Sequence, residues 1–393
     1  MSRRICKKKI TVNFQKSLLV ISLFLIILSM QSCKENKTPK EIAAERIDSL
    51  FTARYNNAQP GAAVLIKVGD EIIFDKGYGI ADIQTKAEID GNTFFNIASV
   101  SKQFTAMAML QLQEAGKISL EDEISRYFPE FKGEFFKRIK IKHLLSQSSG
   151  LPDLRPRSDR NFVLTATDMQ SIEFFKDLDH INFEPGTNYE YQNPTFQLCY
   201  AIIEKLTGEK FDDYMRNHIF LPAGMNETLY FEADREIPRM AHGYIPENDD
   251  KTDWKEYDYG EESFFATKAD GGIYTSTHEF AKWEEALQNN ILIPDSLKQI
   301  AHSAITPVSG STYSDYQNRP YTSYGYGWFI EEKPGMPKKV YHTGDNGGFQ
   351  IYAGRFPEKR ILVLVFENRN DYSRWEMVEE LDKILASSGF LGK

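Results

Sequence analysis

Ser99 and Lys102 stand one helical turn apart in the stretch FFNIASVSKQFTAMAMLQLQEAGK, residues 94–117, whose other residues are largely apolar. Burying a lysine is costly, so position 102 is either a side chain that reaches back to water or one kept for chemistry. Residues i and i+3 share a helix face with Cβ atoms about 5–6 Å apart. A helix start also offers free N–H groups and a positive dipole end. An ammonium is disfavoured in such surroundings, and the resulting amine can take the proton of the hydroxyl beside it. The same N–H groups can hold an oxyanion. In the alternative reading Lys102 snorkels to solvent and Ser99 is a helix cap.

Two further groups carry chemistry. In EPGTNYEYQNPTFQLCYAIIEKLTG, Tyr191 and Asn193 come just before an apolar helical pattern. A phenol near a lysine can accept or relay a proton, and a side-chain amide can orient a substrate amide. In VYHTGDNGGFQIYAGRF, His342, Thr343 and Gly344 read as a strand edge. The small Thr-Gly pair lets an extended substrate add as a further strand, with the N–H of Asp345 aimed at the reacting carbonyl. His342 is expected to supply a hydrogen bond or partial positive charge. An exposed loop tyrosine and a hydrated strand histidine are the plain alternatives.

The elements that must position these groups fall into a simple order. IAAERIDSLFTARY, from Ile42 to Tyr55, has helical periodicity, and two β-rich runs around Gly69-Asp70 predict a hairpin. The Ser99 helix stops near Gly116, and from about Leu120 to Arg235 the pattern is mainly helical. Strand-like runs return at YGYGWFI, KKVYHTGDNGGFQIYAGRF and RILVLVFEN, before a terminal helix in SRWEMVEELDKILAS. This order predicts an α/β chain of the α+β type. Its central antiparallel sheet, drawn from about 42–95 and 320–385, is flanked by the N- and C-terminal helices and interrupted by a helical subdomain over about 97–300.

The 393 residues are 41% hydrophobic and 26% charged, a profile of an ordinary globular protein. A formal net charge of −9, with no basic stripe in the body of the chain, argues against a nucleic-acid partner. The seven histidines are scattered and none forms H-E-x-x-H, so neither a metal nor another cofactor is expected. The first residues differ: MSRRICKKKITVNFQK is basic, SLLVISLFLIIL is an apolar core of signal-peptide length, and SMQSCKENKTPKE runs from small residues into a polar tether. Residues 1–33 resemble a lipoprotein-type signal ending at Cys33, the lipidation position, with a tether over 34–41 and one catalytic domain over 42–385. An anchor with an incidental cysteine is the other reading. Cys199 is then the only cysteine in the body, and its apolar helical context marks it as a small buried hydrophobe.

S-x-x-K, Y-x-N and H-T-G in this order and at these distances resemble the penicillin-recognising serine hydrolases, closest to the class C β-lactamase group with its D-alanyl-D-alanine carboxypeptidase and esterase relatives. GYGIADIQTKAEIDGNTFFNIASVSKQFTAMAML, IKIKHLLSQSSGLPD, IFLPAGMNET, DGGIYTSTHEFAKW and YGYGW extend the likeness over roughly Ile42 to Leu385. The resemblance implies a β-lactamase/transpeptidase-like fold and acyl transfer through a serine acyl-enzyme. It makes Ser99 the nucleophile, with Lys102 and Tyr191 a coupled base pair. Asn193 would bind the substrate amide, His342, Thr343 and Gly344 would line the acyl-binding edge, and the N–H groups of Ser99 and Asp345 would form the oxyanion hole. It further implies a small-molecule or peptide substrate with a carbonyl acyl group, while the leader implies an exported bacterial lipoprotein, periplasmic or outer-membrane associated.

The chain departs from the class C pattern in having His342 where lysine is usual, and Asp345 where relatives carry a small or hydroxyl residue. A carboxylate at that rim is expected either to disfavour substrates ending in a free carboxylate or to point to water or cap the turn at Asn346-Gly347-Gly348. The acid- and aromatic-rich loop NDDKTDWKEYDYGEESFF is expected either to rim the pocket or to be a solvated excursion. Within the same reading, a D-alanyl-D-alanine carboxypeptidase and a sensor that acylates without turnover stand beside the hydrolase.

Overall fold

The computed structural model describes residues 37–392 apart from 57, 157, 233–236, 258–265 and 310–318. The leader and Cys33 lie outside this set, as does the second half of the acid-rich loop. Helix α1 spans Pro39–Thr52, so it begins inside the stretch read as tether. The reason is local: Thr38 Oγ accepts from the Glu41 N–H, the Glu41 carboxylate accepts from the Thr38 N–H at 2.7 Å, and Pro39 occupies the first turn.

Strands β1 (Ala62–Val68) and β2 (Glu71–Tyr78) form the expected hairpin, with Gly69 at φ +61° in its two-residue turn. A two-strand-residue segment, β3 (Phe95–Asn96), leads into a 3₁₀ turn over Ala98–Ser101 and then helix α2 (Lys102–Glu114). Ser99 therefore sits in a tight turn preceding the α-helix rather than in its first turn. Helices α3 (Asp168–Ile172) and α4 (Pro194–Thr207) follow. Short strands β4 (Leu229–Tyr230), β5 (Tyr244–Pro246), β6 (Trp254–Glu256) and β7 (Ile273–Thr275) punctuate the middle of the chain before helix α5 (Thr277–Gln288). The C-terminal part supplies β8 (Thr306–Pro307), β9 (Thr322–Tyr324), β10 (Phe329–Glu331), β11 (Lys339–Asn346), β12 (Phe349–Phe356), β13 (Ile361–Glu367) and helix α6 (Arg374–Ser387).

The main sheet has the order β2-β1-β13-β12-β11-β10-β9-β8, and its paired strands run antiparallel. It is assembled from both ends of the chain, with Ala62 opposite Glu367. One face packs α1 and α6 through Ile47, Phe51, Val365, Met377 and Leu381. The other packs α2, α4 and α5 through Phe104, Met107, Ile202, Trp283 and Leu364. β12 and β13 are buried along their whole length, as strands covered on both faces must be.

Small strands in the helical part were not anticipated, and they have a structural task. β7 lies between β3 and β4, pairing Asn96 with Tyr274. This pairing, with the Ile97 N–H donating to Ile273 O at 2.9 Å, draws the loop before β7 alongside the Ser99 turn. Helix α2 is pinned at its other side by Gln103, whose Oε1 accepts from the indole N–H groups of Trp283 at 2.9 Å and Trp328 at 3.0 Å. All three residues are buried. Gln103→Leu leaves two buried donors without an acceptor, each costing about 1–3 kcal/mol. Urea unfolding of this variant is expected to show a loss of about 2–6 kcal/mol; a change below about 0.5 kcal/mol would contradict the assignment.

Candidate active site

The Ser99 turn, the N-terminus of α2, the segment leading into α4, the loop before β7 and strand β11 converge. Lys102 is wholly buried, so the snorkelling alternative is excluded. Its Nζ lies 3.1 Å from Ser99 Oγ, 2.8 Å from Asn193 Oδ1 and 2.8 Å from the backbone oxygen of Asp270. Ser99 itself is partly exposed, and its side chain caps no helix. Burial is the main cause that lowers the Lys102 pKa to about 7; Asp270 opposes the shift and Arg155 adds to it. The surroundings are thus desolvated, not purely positive.

The partner set fixes what the neutral amine presents. An uncharged lysine has two N–H bonds and one lone pair. The oxygens of Asn193 and Asp270 can only accept, so they take both N–H bonds. The lone pair is left for the Ser99 hydroxyl, which then donates. That is the geometry of a general base.

Asp270 O is held in place from several sides. The Asp168 carboxylate accepts from the Lys268 N–H at 2.7 Å and the Ala269 N–H at 3.1 Å, while Thr105 Oγ donates to Ala269 O at 2.8 Å. Gln197 on α4 donates to the Asp270 carboxylate at 3.0 Å. Burial and the neighbouring Asp270 charge push the Asp168 pKa upward. The sequence reading missed all of these except the DGG motif itself, because a backbone carbonyl has no residue-type signature.

Tyr191 is brought in as expected: its ring centroid is 4.9 Å from Lys102 Nζ and 6.2 Å from the His342 ring. The segment carrying it is tied down by Gln147, whose Oε1 accepts from the Gln192 N–H at 2.8 Å and whose backbone oxygen accepts from the Glu190 N–H at 3.0 Å. Gln147 holds φ at +54°, a strained value for this residue type. Asn193 also belongs to the cluster, but its Oδ1 is engaged by Lys102, leaving its N–H₂ end for a substrate.

β10 pairs with β11 only over Lys339–Tyr341, so β11 from His342 onward is paired on the β12 side and open toward the cluster. The closeness of Ser99 to this edge depends on Gly344. A Cβ there would meet Ile97 O at 2.3 Å and Ala98 Cβ at 3.1 Å. The approach is tight enough that Ala98, immediately before Ser99, sits at φ +47°.

His342 does not carry the partial positive charge expected of it, and the hydrogen bonds it makes stay within the protein. Its Nδ1 lies 2.6 Å from Thr343 O, which can only accept, so Nδ1 carries the proton. Nε2, 2.9 Å from the Tyr324 hydroxyl, is then the acceptor. Both ring nitrogens are engaged within the protein. Burial, with Lys102 and Arg374 acting in the same direction, depresses the His342 pKa to about 3. The residue is a neutral packing element of the edge. Thr343 and Gly344 are buried on the strand.

Asp345 has a partner that neither of its readings named. Its carboxylate is ion-paired with Arg374 at the start of α6, and Arg374 also donates to Gly344 O at 3.3 Å.

A partly exposed hydroxyl, a desolvated amine aimed at it and an open strand edge define a serine hydrolase. The beta-lactamase family model matches residues 47–385, and the chain belongs to that family. A Bacillus subtilis relative, penicillin-binding protein 4*, is 27% identical over 354 residues, covering 86% of this chain and 74% of that one. Against other curated relatives the chain spans 62% of their length. Among solved structures, the D-amino acid amidase of Ochrobactrum anthropi superposes with a TM-score of 0.72 at 21% identity, covering 89% of this chain and 99% of that one. A class C beta-lactamase gives 0.72 at 20% identity, covering 90% and 98%. These two share the fold.

The burial of Lys102 is directly measurable. The ¹⁵N resonance of its side chain is expected to titrate near pH 7; a midpoint near the ordinary lysine value of about 10.4 would contradict the desolvated cluster.

Proposed function

We propose that this protein is an exported serine hydrolase that cleaves amide or ester acyl donors through an acyl-enzyme on Ser99. The observation that carries the reading is the Lys102 amine, buried, with two acceptors on its N–H bonds and Ser99 Oγ 3.1 Å away. As the Ser99 Oγ–carbonyl carbon bond forms, the hydroxyl proton passes to Lys102 Nζ. It is returned to the leaving nitrogen or oxygen as the bond from the carbonyl carbon to that atom breaks, with Tyr191, whose ring packs 4.9 Å from Lys102 Nζ, as its relay. Water then repeats the sequence on the acyl group and restores Ser99. The N–H groups of Ser99 and Asp345 hold the oxyanion, the Asn193 N–H₂ end meets the substrate amide, and the β11 edge receives the acyl chain.

The fold shared with an amidase and a class C β-lactamase supports this chemistry, while leaving the scissile group open. A D-alanyl-D-alanine carboxypeptidase is the second reading, favoured by the penicillin-binding relative. Time-resolved mass spectrometry with a small p-nitrophenyl ester and a chromogenic cephalosporin separates the cases. Transient acylation of Ser99 with product release and recovery of free enzyme is expected, absent in Ser99→Ala; an adduct that persists would make the protein a sensor. The folded pKa of Lys102 is lowered, so the amine is the base above about pH 7 and is lost as pH falls through that value. The acylation rate is expected to fall about tenfold for each unit below it; a flat profile there would remove Lys102 as the base.

The membrane assignment rests on the sequence of the leader. Cys33 is proposed as the lipidated N-terminus of the mature chain. Metabolic labelling with a fatty-acid probe is expected to mark the protein and to be lost in Cys33→Ser; equal labelling of both would overturn it.

A further inference from the structure

The corner beside the open edge of β11 contains a guanidinium with an unusual occupant. Side chains alternate along a strand. Gly344 faces the Ser99 turn, so Thr343 and Asp345 face the side on which α6 packs. Arg374, the first residue of α6, ends against residues 344 and 345: it donates to Gly344 O at 3.3 Å and to the Asp345 carboxylate. The Arg374 side chain is 4% exposed while that of Asp345 is 41% exposed, so the carboxylate is the outward partner of the pair, one residue beyond the Gly344 that meets the Ser99 turn. The Arg374 charge is also felt by Glu367 and His342, and His342 is neutral. No second cation compensates at position 342.

We infer that Asp345 occupies, from within the chain, the place a substrate carboxylate would take on Arg374, and that this protein therefore selects acyl donors without a free carboxylate at that end: neutral esters, carboxamides and internal peptide bonds. The inference deepens the hydrolase reading and rests on it. An arriving carboxylate meets a neutralised ion pair whose outward partner carries its own sign. Discounted for water at this part-exposed carboxylate and for Arg374 beside it, the like charge is expected to suppress such a substrate by about tenfold. A neutral carboxamide meets no such penalty. Removing the Asp345 charge uncovers a buried guanidinium at the strand edge, which is a good receptor for a planar carboxylate.

The test uses two p-nitroanilide or ester substrates identical except for a terminal carboxylate or carboxamide. Values of kcat/KM are measured for wild type, Asp345→Asn, Asp345→Ser and the double variant D345N/R374Q. Wild type is expected to prefer the carboxamide by about tenfold. Both single variants are expected to shift the preference ratio toward the carboxylate by about ten- to a hundredfold, mainly through KM, and the double variant to lose that shift. Using the ratio within each variant keeps the result independent of any general loss of activity, and two replacements guard against one failing to fold. Equal turnover of the two substrates by wild type, or an unchanged ratio in both single variants, would overturn the inference while leaving the hydrolase intact. Failure of wild type to form an acyl-enzyme with either substrate would overturn the hydrolase reading, and this inference with it.

Discussion

The site depends on keeping one amine dry. Lys102 is enclosed on every side, and the unfolded chain binds a proton at neutral pH that the folded protein holds only weakly. Between about pH 7 and the ordinary lysine value of about 10.4 this difference works against folding, and it grows as pH falls across that interval. The fold bears it because two acceptors, Asn193 Oδ1 and Asp270 O, come from distant parts of the chain to satisfy the buried N–H bonds. Much of the surrounding polar network exists to hold those acceptors. Asp168, Thr105 and Gln197 hold the 268–270 segment, and Gln147 holds the segment around Tyr191. A buried network of this kind is useful only when complete.

The second constraint is closeness. In the proposed mechanism an acyl group touches the Ser99 hydroxyl while its backbone lies on β11, which asks the turn and the strand to approach within backbone contact. Gly344 removes the side chain that would collide with Ile97, and Ala98 takes an unfavourable φ to make the turn. Opposite them, His342 and Tyr324 fill the edge as a neutral hydrogen-bonded pair. With His342 neutral, the charges acting near the reacting groups come from Lys102, Asp270, Arg155 and the Arg374–Asp345 pair. Their pattern is unlike that of a site carrying lysine at position 342.

What was legible in the sequence follows from the physical range of each signal. Ser99 with Lys102, and Gly344 after Thr343, could be read because their chemistry lies in residue type at short spacing. The hairpin at Gly69 and the assembly of the sheet from both ends were legible from turn chemistry and alternation. The start of α1 was missed because Thr38 and Glu41 act together across a stretch that looks merely polar. The role of His342 was misread because a histidine's charge is decided by its surroundings; here Tyr324, on another strand, and burial decide it. Asp345 could not be interpreted without Arg374, its partner 29 residues away.

The pairing of Ala62 with Glu367 carries a temporal consequence. A growing polypeptide that has emerged only as far as α5 owns the hydroxyl, the amine and both of its acceptors, yet it lacks the strand that would back them and the partner that closes β1. Because β13 is the last strand of the sheet, that pairing waits until nearly the whole chain is present. The strand edge beside Ser99 is therefore completed only when the C-terminal strands are in place.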